Sequence, residues 1–504
     1  MINLKLILRN VNIIIILFGF ILLVKYILVG KSSFFDDSYI YAHIASNFIE
    51  TYSFKFFPLE ASENYALLSS SPMRLFLLLP AEFLTHFFNI DRTEIGFRIS
   101  LILYFVTVSF FMFYILNKKC NFFIPFIFSL FLSLCFETVL QMEGLLLFWW
   151  FFSFFFFLYN EKLDSFKISV FTVLLALIRI DVLVAILPLI IFEFFKLENK
   201  DKIKTISYLI IFSVGYFIFM FLAGVYPIPT TFYSKILTMK LNLSNGVYFD
   251  VFFTRVKDYF NNQLALTIIL YLSSILFVIS FIMLKYKRYT IYILILFIGL
   301  LLIDANKPSW FLWYFENFLV INLAIFLITI MIYIDKFNPK NVKILYISPL
   351  IIFCTLSVYF NMNNNRNLPW NTKGPFFNGY SHLKDYYNGE GLFDFPNLPK
   401  GYAVISEIGI ASYFGGNNFL LGDRLGLIQP GFFEKVITSK LRVLYPDSVL
   451  RSIEDDFKDK SQPIYMIWAG VDNGQYCSSF IKNYNLCIQK IDDLNVFAQS
   501  LKKE

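Results

Sequence analysis

Residues 11–29 read VNIIIILFGFILLVKYILV, an apolar run broken only by Lys25 and long enough to cross a bilayer. Residues 31–50 follow at once: KSSFFDDSYIYAHIASNFIE. Two adjacent carboxylates, Asp36 and Asp37, therefore stand in the first aqueous segment beyond the first span. The apolar run is not followed by a small-residue cleavage site, so it reads as a retained anchor rather than a removed signal peptide.

Composition points the same way. Of 504 residues, 58% are hydrophobic and 16% charged, with 65 Phe and 31 Tyr. That is more apolar surface than a soluble domain buries, and it defines a polytopic membrane protein. The net charge of +7 is carried by Lys and Arg in short loops, where it encodes bilayer orientation rather than nucleic-acid binding. The three histidines, His43, His86 and His382, form no Cys/His cluster, which argues against a zinc site. Cys120, Cys135 and Cys354 fall in or beside spans and read as small apolar residues. Cys477 and Cys487 lie close together and fit a disulfide closing a short hairpin, provided that region lies outside the cytoplasm.

After residue 29, spans are expected at about 97–116, 121–136, 144–159, 168–178, 182–195, 206–224, 263–284, 290–303, 315–334 and 344–361. Residues 73–90 are also apolar but carry Arg74, Pro80, Glu82 and His86. Charge decides how to read them. If 73–90 does not span and the N-terminus is cytoplasmic, the inner loops hold Lys5, Arg9, Lys118, Lys119, Lys162, Lys167, Lys196, Lys200, Lys202, Lys204, Lys285, Lys287, Arg288, Lys336, Lys340 and Lys343, against Arg179 and Lys307 in the short outer connections. If 73–90 did span, that bias would reverse. The sequence thus predicts about eleven transmembrane helices, with 73–90 as an interfacial or re-entrant helix. Residues 30–96, 137–143, 179–181, 225–262, 304–314 and everything from 362 onward are placed outside.

From residue 362 the composition turns polar and rich in Asn and Pro. Beyond this linker, YAVISE, PIYMIW and NVFAQ read as strands, with a helix-like stretch near 431–441. The expected domains are therefore a transmembrane domain over 1–361, including the first outer loop 30–96, and an extracytoplasmic α/β domain over 362–504. No internal repeat is visible, which weakens a transporter reading.

In the first outer loop Tyr39, His43 and Asn47 recur at helical spacing beside an apolar stripe of Ile40, Ile44 and Phe48. This predicts a helix able to lie along the membrane surface, with both aspartates at its positive end. One carboxylate there can be a simple cap. A second is available to take a proton from a hydroxyl.

The segment FDDSYIYAHIASNF (35–48) resembles the DDAYI…R…N opening of bacterial GT-C glycosyltransferases, in the branch that includes the mycobacterial terminal arabinofuranosyltransferases. Four further segments resemble that family in the same chain order. QMEGLLL (141–147) is similar to GMETPL, LIRIDVL (177–183) to LTRPDGL, and PIPTTFYSK (227–235) to LPNTYYAK. ISEIGIASYFGGNNFLLGDRLGL (405–427) is similar to the outer-domain pattern D-x-G…Y…D-x-x-G-L. This chain departs from the family at His43, where Arg is usual, at Thr230 for Asn, at Gly144 for Thr and at Glu407 for Asp.

The resemblance implies a GT-C-like fold and inverting transfer of a single sugar from a polyprenyl-phosphate donor to a hydroxyl of a cell-envelope glycan or glycolipid. Asp36 and Asp37 are the catalytic candidates, with Asp36 as base and Asp37 holding the acceptor or a divalent metal such as Mg, Mn or Ca. Lys235 is the first candidate to bind the departing phosphate, followed by Arg179 and His43. Tyr39, Glu143, Asp181, Thr231 and Tyr233 are candidate substrate contacts. Bland readings stand beside these: Arg179 and Asp181 as an ion pair at a helix break, Glu143 as loop polarity, and Trp310, Trp313 and Tyr314 as an interfacial belt. Glu407 and Asp423 read as turn residues. The expected location is the cytoplasmic membrane, with the site facing the periplasm or cell exterior. The rival enzyme is an O-antigen ligase or polymerase acting on a polyprenyl-diphosphate oligosaccharide, and the non-enzyme rival is a lipid or sugar transporter.

Overall fold

A computed structural model describes residues 36–56, 67–116, 123–135, 137–160, 163–229, 379–390, 392–405, 408–417, 422–423, 462–469 and 479–491, with isolated helical residues in 19–28 and 320–331. The expected spans at 263–284, 290–303 and 344–361, the helix near 431–441 and the strand NVFAQ lie outside these. The described chain is mostly helical and divides into two compact units.

One unit holds residues 104–215 together with 1–30 and 245–365. Its helices are α4 (Phe123–Cys135), α5 (Glu137–Gln141), α6 (Gly144–Asn160), α7 (Ser165–Ile178), α8 (Ile180–Phe195) and most of α9 (Asn199–Leu222), together with the end of α3 (Glu94–Leu116). Ten of the 17 residues of α6 are aromatic, and their rings stack at i, i+4. Phe148, Phe152 and Phe156 follow at 6.2 and 6.4 Å, and Trp150 lies 4.8 Å from Phe154. This is the i, i+4 neighbour relation of a helix surface. Trp150 Nε1 donates to the Phe171 carbonyl at 2.9 Å, tying α6 to α7.

Asp164 caps α7 by accepting from the Lys167 N–H at 2.8 Å. A single extended residue, Arg179, ends α7 and begins α8. Small side chains let α9 approach: Ser165 and Ser169 donate to the Asp201 and Thr205 carbonyls at 2.9 and 3.0 Å.

The other unit holds residues 31–103, 216–244 and 366–504. Here α1 (Asp36–Thr51) packs on α2 (Pro72–Phe87). Ser71 caps α2 and Pro72 opens it, where a missing N–H costs nothing. The sheet of this unit has strands β1 (Tyr402–Ile405), β2 (Gly422–Asp423), β3 (Ile464–Ala469), β4 (Ser479–Ile481) and β5 (Leu486–Ile491), in the order β2-β1-β3-β5-β4. β1 runs parallel to β2 and β3, whereas β5 is antiparallel to β3 and β4. Ala403 pairs with Tyr465 and Ile405 with Ile467, all four buried, as alternation on one sheet face requires. Helix α10 (Ile408–Gly415) makes the crossover between the parallel strands β1 and β2. Cys487 on β5 is disulfide-bonded; Cys477 lies outside the described residues.

Among the described residues two helices, α3 and α9, are long and apolar enough to cross a membrane. Of the apolar window of α9, 11% is buried, against 44% for α3. Ile203, Ile206, Ile210, Ile211, Val214, Ile218 and Leu222 are all exposed along α9. Helix α2 has 16 residues and is not among the two.

Candidate functional site

Both aspartates occupy the first turn of α1, where the exposed N–H groups of a helix favour negative charge. The Asp36 side chain reaches across to α10. Its two carboxylate oxygens accept the backbone N–H groups of Gly409 at 3.1 Å and Ile410 at 2.8 Å. These are donors that the start of a helix cannot satisfy internally. Asp36 therefore caps a helix 374 residues further along the chain.

The polar stripe of α1 faces inward. Tyr39, His43 and Asn47 are all buried, because residues 53–56, the 88–93 turn and α10 cover that side and supply partners. The stripe is therefore covered by the protein rather than exposed as the polar face of the helix.

His43 Nε2 is 2.9 Å from the Phe56 carbonyl and Nδ1 is 3.0 Å from Arg92 Nη1. These partners assign the neutral tautomer with its proton on Nε2. Burial first, and the Arg92 charge second, hold this imidazole well below its ordinary pKa. His43 thus carries no positive charge to offer a phosphate.

Arg92 is the centre of this side, and the sequence did not single it out. It adopts a left-handed backbone at φ 52°, and its guanidinium reaches both α1 and α10. Nε donates to Glu50 Oε1 at 3.0 Å and Nη2 to Asn47 Oδ1 at 2.7 Å. On the other side it reaches the Tyr413 carbonyl at 3.4 Å and Asn417 Oδ1 at 3.3 Å. Asn417 also donates to Glu50. Arg92 thus brings a guanidinium against the His43 ring from 49 residues away along the chain. Its partners lie 42 to 325 residues away, so no local spacing in the sequence marks it.

Tyr39 stacks on Phe97 at 4.0 Å and lies 5.5 Å from the Tyr413 ring. Burial, then the neighbouring Glu94 carboxylate, hold its phenol protonated well above the usual range; Arg98 opposes this and Asp36 adds to it. Glu82 on α2 is also buried. It accepts from Ser100 Oγ, and burial pushes its carboxyl up to about 7.

In the other unit, Glu143, Arg179 and Asp181 come together. Arg179 grips Asp181 with two parallel bonds of 2.8 and 2.5 Å, and Nη1 lies 3.5 Å from Glu143 Oε2. Glu143 is fully buried and Arg179 nearly so. Lys235, Thr231 and Tyr233, with Thr230, Glu407, Trp310, Trp313 and Tyr314, lie outside the described residues.

Among the described residues one group brings three metal-ligating atoms within 4.8 Å of one another: Glu50, His86 and Asp91. It includes neither Asp36 nor Asp37. Its members already have partners within the protein, since Glu50 pairs with Arg92 and His86 Nδ1 lies 3.2 Å from Asp91. A guanidinium at that distance competes for the carboxylate a cation would need.

No known protein family, no curated protein and no solved structure matches this chain.

Proposed function

We propose that this protein is a glycosyltransferase of the outer face of the cytoplasmic membrane. It moves a single sugar from a polyprenyl-phosphate donor to a hydroxyl of a cell-envelope glycan or glycolipid. One observation carries the reading: the family-like segments meet in pairs. The 35–48 segment packs on the 405–417 segment through Asp36 and Arg92, and the 141–147 segment meets the 177–183 segment through Glu143 and Arg179. Residues remote in sequence that come together as polar clusters are what a site needs and what a lipid-facing scaffold does not.

The membrane part of the proposal is a polytopic GT-C-like fold of about eleven spans, with an extracytoplasmic α/β domain over 362–504. It is supported by α9, whose exposed apolar side chains require an apolar medium. The disulfide at Cys487 fits an oxidising compartment for the C-terminal segment.

In the proposed reaction an aspartate takes the proton of the acceptor hydroxyl as its oxygen bonds to the anomeric carbon. The bond from that carbon to the phosphate oxygen breaks on the opposite face. The electron pair leaves with polyprenyl phosphate, so the configuration inverts. Fixed positive charge must receive the leaving phosphate. Lys235 is the proposed donor of that charge; Arg179 is already held by Asp181 and Glu143, and the His43 ring is neutral. The described residues around Asp36 do not assemble a cation cage, and no step is routed through a metal.

The test is release of polyprenyl phosphate by purified protein in nanodiscs, across a panel of polyprenyl-phosphate monosaccharides with an acceptor glycan. Release that needs one particular sugar and the acceptor supports the reading. Turnover only with diphosphate-linked oligosaccharides would replace it with the ligase reading.

A further inference from the structure

We infer that α2 lies in the bilayer with its outer face against lipid acyl chains, at the membrane face where α3 begins and α9 ends. The inference rests on the reading that α3 and α9 cross a membrane; it does not depend on the reaction.

Helix α2 is inside out. A helix on the surface of a soluble domain turns its apolar side to the core and its charges to water. Here Arg74, Glu82 and Thr85 line the buried side, none more than 1% exposed. Phe83 and Phe87 are exposed at 54% and 67%, and Phe88, just beyond the helix, at 64%. The spacing makes these two true faces. Arg74, Leu78, Glu82 and Thr85 recur at helical intervals on one, and Met73, Phe76, Pro80, Phe83 and Phe87 on the other.

The buried charges are engaged within the protein. Arg74 Nη2 donates to Ser38 Oγ on α1 at 3.1 Å, with the guanidinium 4.2 Å from the centre of the Tyr41 ring. Glu82 accepts from Ser100 Oγ on α3 at 2.5 Å. Water would favour the reverse arrangement, with the charges outside and the phenylalanines inside. Acyl chains favour this one, because ionisable groups in a membrane turn to the protein interior.

Two connections carry an apolar surface onto α2. Phe76 lies 5.5 Å from Phe219 and 6.4 Å from Tyr216, in the last turns of α9. There Phe217, Ile218, Phe221 and Leu222 are exposed. At its other end α2 passes through the 88–93 turn into α3, whose first turn exposes Ile95. A continuous apolar patch marks an apolar partner, and continuity with the exposed sides of two membrane-crossing helices makes that partner lipid. The 16 residues of α2 reach about 24 Å, short of the roughly 30 Å hydrocarbon core, so α2 enters the bilayer without crossing it. His86, the one polar side chain exposed on α2, sits in the last turn beside Asp91 and marks the boundary with the headgroups.

The test uses the full-length protein in phospholipid nanodiscs with no sugar donor. Benzoylphenylalanine, a photoreactive side chain built on phenylalanine, is placed at position 83 or 87 of α2. It is also placed at position 210 of α9 and at position 384, where Ile210 and Lys384 are both exposed. After irradiation, mass spectrometry reads phospholipid adducts. The inference predicts adducts at 83 and 87 in yields like that at 210, and loss of them at 384. Adducts at 210 with none at 83 or 87 would overturn it and leave the membrane reading standing. No adducts at any position would defeat both. Crosslinks from 83 and 87 to a second copy of the chain, in place of lipid, would also overturn it and make this face a subunit interface.

Discussion

The two units solve the problem of buried charge in different ways. In one, Arg179 pairs directly with Glu143 and Asp181, and Arg179, the one-residue helix break, stands two residues from Asp181. In the other, Asp36 and Arg92 meet a helix some 320–370 residues away, Asp36 at its first N–H groups and Arg92 at its last turn. Glu82, another buried carboxylate, accepts from the Ser100 and Thr85 hydroxyls and holds its proton up to about 7. The contacts that join the first cluster run between side chains, whereas the second also uses the backbone groups at the two ends of α10. The first arrangement fixes local backbone geometry; the second fixes which segments meet.

Breaking the first arrangement should cost most. Arg179→Ala strands a buried Glu143 and should destabilise that unit by about 3–5 kcal/mol, read by denaturant unfolding in mixed micelles. Arg179→Lys keeps the charge but not the two-pronged grip, and should recover only part.

The next effect is a pH dependence. Glu82 holds its proton from 4.5 up to about 7, a range in which the unfolded chain has already lost it. The folded state then binds more protons, so stability falls as pH rises through that window and levels off above it, by about 3 kcal/mol in all. Glu82→Gln should remove this component, flattening the unfolding midpoint between pH 5 and pH 8. A slope of unchanged size in the variant would assign it to another group.

Arg92→Ala should cost about 2 kcal/mol. It should also raise the pKa of His43, whose second-largest lowering influence it removes; NMR titration of the ring checks this. At the small end, removing the exposed Lys200–Glu198 pair should change stability by less than about 0.5 kcal/mol.

What could be read from the sequence follows the same division. The helices at 94–116, 144–160, 165–178, 180–195 and 199–222 fall where apolar runs mark them, because hydrophobic patterning is local. The Arg179–Asp181 pair is also local, at i and i+2, and was foreseen. Strands 402–405 and 464–469 were legible from β-branched and aromatic content, whereas 486–491, LCIQKI, is too mixed to declare itself. The inward turn of the α1 stripe was not legible, since Tyr39, His43 and Asn47 suit a wet surface until Arg92, Phe56 and α10 cover them. Nor was the cap on α10: nothing near residue 409 announces that its partner is residue 36.

The most direct test of the account compares wild type with Asp36→Asn/Asp37→Asn together, both reconstituted in nanodiscs and supplied with the preferred polyprenyl-phosphate sugar and acceptor. The account predicts sugar transfer by wild type, with inverted configuration at the anomeric carbon, and loss of transfer in the double variant while its helices remain folded. Equal transfer by both proteins would contradict it.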